Sequence, residues 1–143
     1  MDCVKRPKKQ RETASVIFKL TVYLSGAITD IPGSNRIAIL DAYTRIAKLK
    51  KCYRLRGLRI INPLRIGARL KRHFRTMGWG EPVWEDYMKA CIKKLVDAKC
   101  VYFLPDWATS KGATMERYIA TKLSIKCVDG MEELKNILLE AAR

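Results

Sequence analysis

The chain has 143 residues, 48% of them hydrophobic, and carries 29 Lys and Arg against 14 Asp and Glu for a formal net charge of +15. That length holds one domain with a real core and is too short for two of ordinary size. No apolar run is long enough to cross a bilayer and no apolar segment follows the basic N-terminus, so the sequence reads as cytoplasmic, without membrane span or secretory signal.

Residues 1 to about 14 read as a disordered basic arm, with Lys5, Arg6, Lys8, Lys9 and Arg11 and too little apolar surface to offset ordering entropy. The domain proper is expected over 15–143. Val16 to Leu24 supplies a first strand, and Ser25 to Asn35 is a loop of small residues. A helix follows from about Arg36 to Tyr53, with Ile37, Leu40, Ile46 and Ala47 on its apolar side, Ser34 or Asn35 as its cap, and Gly57 closing it. Leu58 to Ile61 is a short second strand ended by Asn62-Pro63. Leu64, Ile66, Leu70 and Phe74 then give a short basic helix, and Met77 to Pro82 reads as loop.

From Trp84 to Val96 the helical pattern is strong: Trp84, Met88, Cys91 and Leu95 make an inward stripe. Cys100 to Leu104 is apolar without alternation and bounded by Pro105, the pattern of a strand covered on both faces. A helix from about Lys111 to Leu123, a strand from Ile125 to Val128 and a last helix from Met131 to Ala142, capped by Asp129, complete the chain. Alternation of this kind predicts an α/β fold, a small flavodoxin-like or Rossmann-like parallel sheet of about four strands in the order 2-1-3-4 with helices on both faces.

In that order the loops after strands one and three face each other across the switch point, where open α/β sheets bind ligands. Gly112, Ala113, Glu116, Ile119, Ala120 and Leu123 fall at helical spacing, so Glu116 lies on an inward stripe near the carboxyl edge of the sheet. A carboxylate there is a candidate catalytic group. Ser25, Gly26, Asn35, Ser110 and Gly112 lie in or beside the two loops, where small and hydroxyl residues let backbone N–H groups approach a phosphate or sugar. Trp107 is placed to stack a base or to pack over its own sheet, and Tyr23 to meet a sugar or to fill the core. Neither loop carries a full dinucleotide or triphosphate fingerprint, which favours a nucleoside or nucleoside monophosphate.

The five cysteines, Cys3, Cys52, Cys91, Cys100 and Cys127, are widely spaced, form no Cys-x-x-Cys pair and share the chain with one histidine. A disulfide framework and a zinc site are both disfavoured, leaving buried reduced thiols; no metal and no cofactor is expected. No acid occurs between Asp41 and Glu81, while Arg45, Lys48, Lys50, Lys51, Arg54, Arg56 and further basic residues through Arg75 accumulate there. Such a surface attracts phosphate-bearing ligands or nucleic acid, or else serves as a soluble basic exterior.

The segments Tyr23 to Asn35, Gly57 to Pro63, Trp84 to Met88, Val101 to Trp107 and Ser110 to Glu116, taken in this order, resemble a bacterial and phage family related to nucleoside 2-deoxyribosyltransferases. The resemblance spans nearly everything from Val16 to Val128. It implies a small flavodoxin-like protein, usually a homo-oligomer, that cleaves or exchanges the N-glycosidic bond of a nucleoside or its 5′-monophosphate. It further implies that Glu116, in the Gly-Ala-x-x-Glu position, is the nucleophile. Many such proteins carry an Asp where this chain has Cys91, so the second acid falls to Asp86 or to Asp106, unless the activity differs. The competing expectation is a catalytically silent nucleotide-sensing or nucleic-acid-associated binding module.

Overall fold

Leu20–Ser25 forms β1 because nearly every residue in it has somewhere apolar to go: Leu20, Val22 and Leu24 point to one side and Tyr23 to the other, all buried. A strand covered on both faces belongs in the middle of a sheet. In the computed structural model, which describes residues 20–27 and 34–142 apart from the side chains of Ser34 and Asn35, β1 does lie between two parallel neighbours. The other strands are β2 (Leu58–Ile61), β3 (Cys100–Phe103) and β4 (Lys126–Val128), and the four-stranded parallel sheet has the order β2-β1-β3-β4.

Helices cover both faces. On one side α1 (Ser34–Cys52) contributes Ile39, Ile46 and Leu49, and α5 (Met131–Ala141) contributes Leu134 and Leu138, against Leu20, Val22, Leu24 and Leu58. On the other, Cys91 and Leu95 of α3 (Trp84–Leu95) and Ala120 of α4 (Lys111–Lys122) pack on Tyr23, Val101 and Phe103. Burying a large aliphatic or aromatic side chain of this kind contributes about 1.5–3 kcal/mol. Helix α2 (Pro63–Met77) lies against α3. Strands β2 and β4 are left as the sheet edges.

The elements follow the sequence reading, with local corrections. The buried face of α1 is formed by Ile39, Ala42, Ile46 and Leu49, while Ile37 and Leu40, expected on the apolar side, are exposed. Helix α1 is closed by Arg54, not Gly57: Arg54 adopts a left-handed φ of 53°, and the Leu55 N–H returns to the Lys50 carbonyl at 2.9 Å while Leu55 is buried. Helix α2 is longer than expected, at 15 residues. Asn62 caps it by accepting from the Leu64 N–H at 2.9 Å, Pro63 occupies its first turn, and Gly78 ends it at φ 72°. Asp129 does not cap α5, which starts from Gly130; it pairs instead with Arg117 on α4. Cys91, Cys100 and Cys127 are free thiols as expected, but Cys52 is disulfide-bonded. The expected basic arm and the start of the first strand, Val16 to Lys19, lie outside the described residues, as do Ile28 to Gly33 of the first loop.

Candidate active site at the carboxyl edge of β1 and β3

The order of the sheet brings the ends of β1 and β3 side by side. Ser25 pairs with Phe103, and the Leu104 N–H extends the ladder to the Ser25 carbonyl at 2.8 Å. Tyr23 and Ser25, two residues apart on a strand, project to the same face, the face on which α3 and α4 pack.

Helix α4 enters this edge through Ser110, whose hydroxyl accepts from the Ala113 N–H at 3.2 Å and caps the helix. Gly112 lets α4 approach α3 closely, since a Cβ there would stand 3.1 Å from the Met88 sulfur. Ala113, Glu116 and Ala120 form the buried stripe of the helix. Two of these are as small as a side chain can be while keeping helix propensity, and between them the carboxylate reaches the sheet.

Glu116 is 5% exposed. Its Oε1 accepts a hydrogen bond from Ser25 Oγ at 3.0 Å, and its Oε2 is buried with no hydrogen-bond partner among the described residues. The Tyr23 hydroxyl is buried in the same condition. It stands beside both the carboxylate and the Cys91 thiol, close enough to influence their proton equilibria without the geometry of a hydrogen bond to either. Burial pushes the Glu116 carboxyl up to about 7, against the opposing influence of Tyr23 and Ser25, which favour the ionised form. Burial also raises the Cys91 thiol to about 11 and, together with Glu116 and Cys91, holds the Tyr23 phenol well above its ordinary value. At neutral pH the cluster therefore comprises one carboxyl near its midpoint and two groups that keep their protons.

An unpaired buried polar atom costs about 1–3 kcal/mol. Two of them, Glu116 Oε2 and the Tyr23 hydroxyl, lie together at the carboxyl edge of β1 and β3, which makes this cluster the candidate site.

Residues 20–129 match the family described as a domain of unknown function, DUF4406. The chain belongs to this family. No curated protein and no solved structure gives a significant match.

Within this DUF4406 domain the residues expected at the site separate into three groups. Glu116, Ser25 and Tyr23 converge, and Cys91 joins them from α3. Gly26, Ser110 and Gly112 shape the site without presenting a free polar side chain. A Cβ on Gly26 would meet the Leu104 Cβ at 3.1 Å, and the Ser110 hydroxyl is occupied by its cap. Trp107 sits in a 3-10 turn, with its ring edge-on to Phe103 at 5.7 Å and the Arg117 guanidinium 4.3 Å above it, so packing already engages it.

The two acids proposed as partners differ. Asp86 occupies the first turn of α3, where its Oδ2 accepts from the Val83 N–H at 2.9 Å, a capping role. Asp106, at the end of β3, has a buried Oδ1 without a hydrogen-bond partner among the described residues. The side chain of Asn35 lies outside the described residues. Sequence reasoning missed Arg117, which clamps Trp107 and Phe103 and is itself held by two hydrogen bonds from its guanidinium to Asp129. The Phe-x-x-x-Trp spacing and the Arg next to Glu116 were visible, but their meeting depends on how α4 lies on β3.

Proposed function

We propose that the protein cleaves or exchanges the N-glycosidic bond of a nucleoside or nucleoside 5′-monophosphate, with Glu116 as nucleophile. The observation that carries this reading is the Glu116 carboxylate, buried at the switch point, hydrogen-bonded through Oε1 to Ser25 and unpartnered at Oε2. The motif resemblance of the chain supports it independently.

The chemistry asks for such a group. As the bond from the anomeric carbon to the base lengthens, positive charge grows on the sugar, and a carboxylate in a water-poor site stabilises it. Oε2 then adds to the anomeric carbon, and the electron pair of the broken bond stays on the base nitrogen, which takes a proton from an acid. Water or the nitrogen of a second base displaces the carboxylate from the glycosyl ester and regenerates the enzyme. Ser25 fixes Oε1 so that Oε2 is the attacking atom. Asp106 is the better of the two acids for the leaving base, because Asp86 is engaged at its helix end.

One observation favours the competing reading of a nucleotide-binding module without turnover: the Cys91 thiol, held at about 11, is a poor replacement for a carboxylic acid. The deciding experiment is chromatographic detection of free base from a panel of nucleosides and 5′-monophosphates, with and without an acceptor base, for the parent protein and Glu116→Gln. Release by the parent and its loss in the variant is the expected result. Equal release by both removes Glu116 from the mechanism. Calorimetric binding of a nucleotide without release by the parent or by Cys91→Asp establishes the binding module.

A further inference from the structure

The outer edge of β2, the strand next to β1, carries a second feature, unused by the chemistry above. A cavity of about 440 Å³ runs along β2 between α1 and α2, with Leu58 to Asn62 as its floor. Its cations come from four elements: Lys50 of α1, Arg59 of β2, Arg65 and Arg69 of α2, and Lys94 of α3. No acid is among its described lining residues. A second hollow of about 320 Å³ shares Ala47 and Lys50 with the first and adds Lys51, Arg54 and Arg56, so the basic surface continues around the end of α1.

Among the described residues none of these cations is in an ion pair, whereas Arg45, Arg117 and Lys126 elsewhere are paired. Folding has gathered like charges in a concave surface without neutralising them, at a cost in self-repulsion that a bound polyanion relieves.

We infer that this groove binds the phosphate backbone of nucleic acid. A second copy of the chain is disfavoured because it would bring the same positive surface. A bilayer is disfavoured because a flat sheet of headgroups reaches the rims of a groove and not its floor, and a small phosphate because the site lacks an enclosed donor set. Arg59, Arg65, Arg69 and Lys94 are exposed, and the buried Asn62 has its side-chain oxygen committed to the Leu64 N–H. Spread, solvent-facing cations match a chain of phosphates contacted one by one. Tyr43 is the lining aromatic, which provides little platform for stacked bases, so recognition is of backbone and not of sequence.

The test uses the full chain and fluorescence anisotropy with labelled oligo(dT) and a labelled duplex, titrated across salt. The groove variant is Arg59→Gln, Arg65→Gln, Arg69→Gln; the control, with the same loss of charge, is Lys99→Gln, Lys122→Gln, Lys126→Gln. The N-terminal basic residues are identical in both. The groove variant should lose at least about tenfold in affinity and flatten the salt slope by about two units, while the control stays within about threefold of the parent. Equal loss in both variants overturns the inference by showing a net-charge effect. It is likewise overturned if parent binding is unaffected by salt, or if inorganic phosphate or anionic vesicles bind through the groove while the oligonucleotides do not. Thermal melting of both variants checks folding, and Lys50→Gln, Lys94→Gln provides a second groove variant should the first not fold. Base release by Glu116 is assayed separately, so failure of one reading leaves the other standing.

Discussion

The carboxyl edge of β1 and β3 and the outer edge of β2 handle charge in opposite ways. At the first, a single carboxylate is taken out of water, held by one hydroxyl and pushed to about 7 by its burial. At the second, five cations stay in contact with solvent around a groove with no acid among its described lining residues. Burial makes one charge powerful and sensitive to each neighbour, because the low dielectric multiplies every interaction. Exposure makes many charges weak singly and strong in sum, with an effect set by ionic strength.

The sharpest way to break this contrast is Glu116→Gln, which keeps the shape of the side chain and removes its charge. Base release should fall by at least about a thousandfold, because the amide in place of Glu116 cannot form the glycosyl ester. Circular dichroism should be unchanged. Binding of oligonucleotide by the groove should also be unchanged, which separates the two regions in one protein.

Next in size is the effect of pH. Glu116 binds its proton more tightly in the folded chain, at about 7, than at its ordinary value of 4.5, so the folded state holds more protons than the unfolded state between those limits. Its contribution to stability is then full below about pH 4.5 and is lost as pH rises through about 7, by about 3 kcal/mol. Denaturant titrations of parent and Glu116→Gln from acid to mildly alkaline pH should show the parent losing ground relative to the variant over that window. Turnover moves the other way, rising with an apparent midpoint near 7, since attack needs the ionised form. A parent whose stability tracks that of the variant at every pH would show that Glu116 is more hydrated than its burial implies.

Salt sharpens the comparison from the other side. Raising it from about 50 to 200 mM should weaken oligonucleotide binding by about a hundredfold for a surface making five phosphate contacts. Turnover of an uncharged nucleoside should change by less than about twofold, because a buried carboxylate is little screened.

The smallest effect concerns packing. Gly26→Ala places a methyl against Leu104 at the end of β1, and the melting temperature should fall by the equivalent of about 1–3 kcal/mol with the sheet intact. Base release should fall further than stability if the end of β1 positions Ser25. A variant as active and stable as the parent would show that the approach of the two strand ends is looser than 3.1 Å implies.

Much of this architecture was legible in the residues. The uninterrupted apolar run of β3, the alternating order of strands and helices, and the inward position of Glu116 on α4 are periodicity signals, and each element appears where its period places it. The misses were local. Arg54 rather than Gly57 turns the chain after α1 because a helix takes its end from where the hydrogen-bonded turn and the buried Leu55 fall, and a non-glycine residue can occupy the left-handed position there. Helix α2 was underestimated because its apolar residues are separated by Arg65, Arg69, Lys71 and Arg72, although Asn62-Pro63 before it and Gly78 after it carried the start and stop signals.

The sequence by itself determined the fold class, the strand and helix inventory, the excess of positive charge and the candidacy of Glu116, because these rest on periodicity and composition along the chain. The tertiary structure alone decided which groups meet. It placed Tyr23, Ser25, Cys91 and Glu116 together from three elements, assigned Asp86 to a helix end and Asp129 to Arg117, and collected cations from α1, β2, α2 and α3 into one groove. Those outcomes depend on contacts between segments tens of residues apart. Their geometry is set by how helices settle on a twisted sheet, for which no local pattern carries a signal.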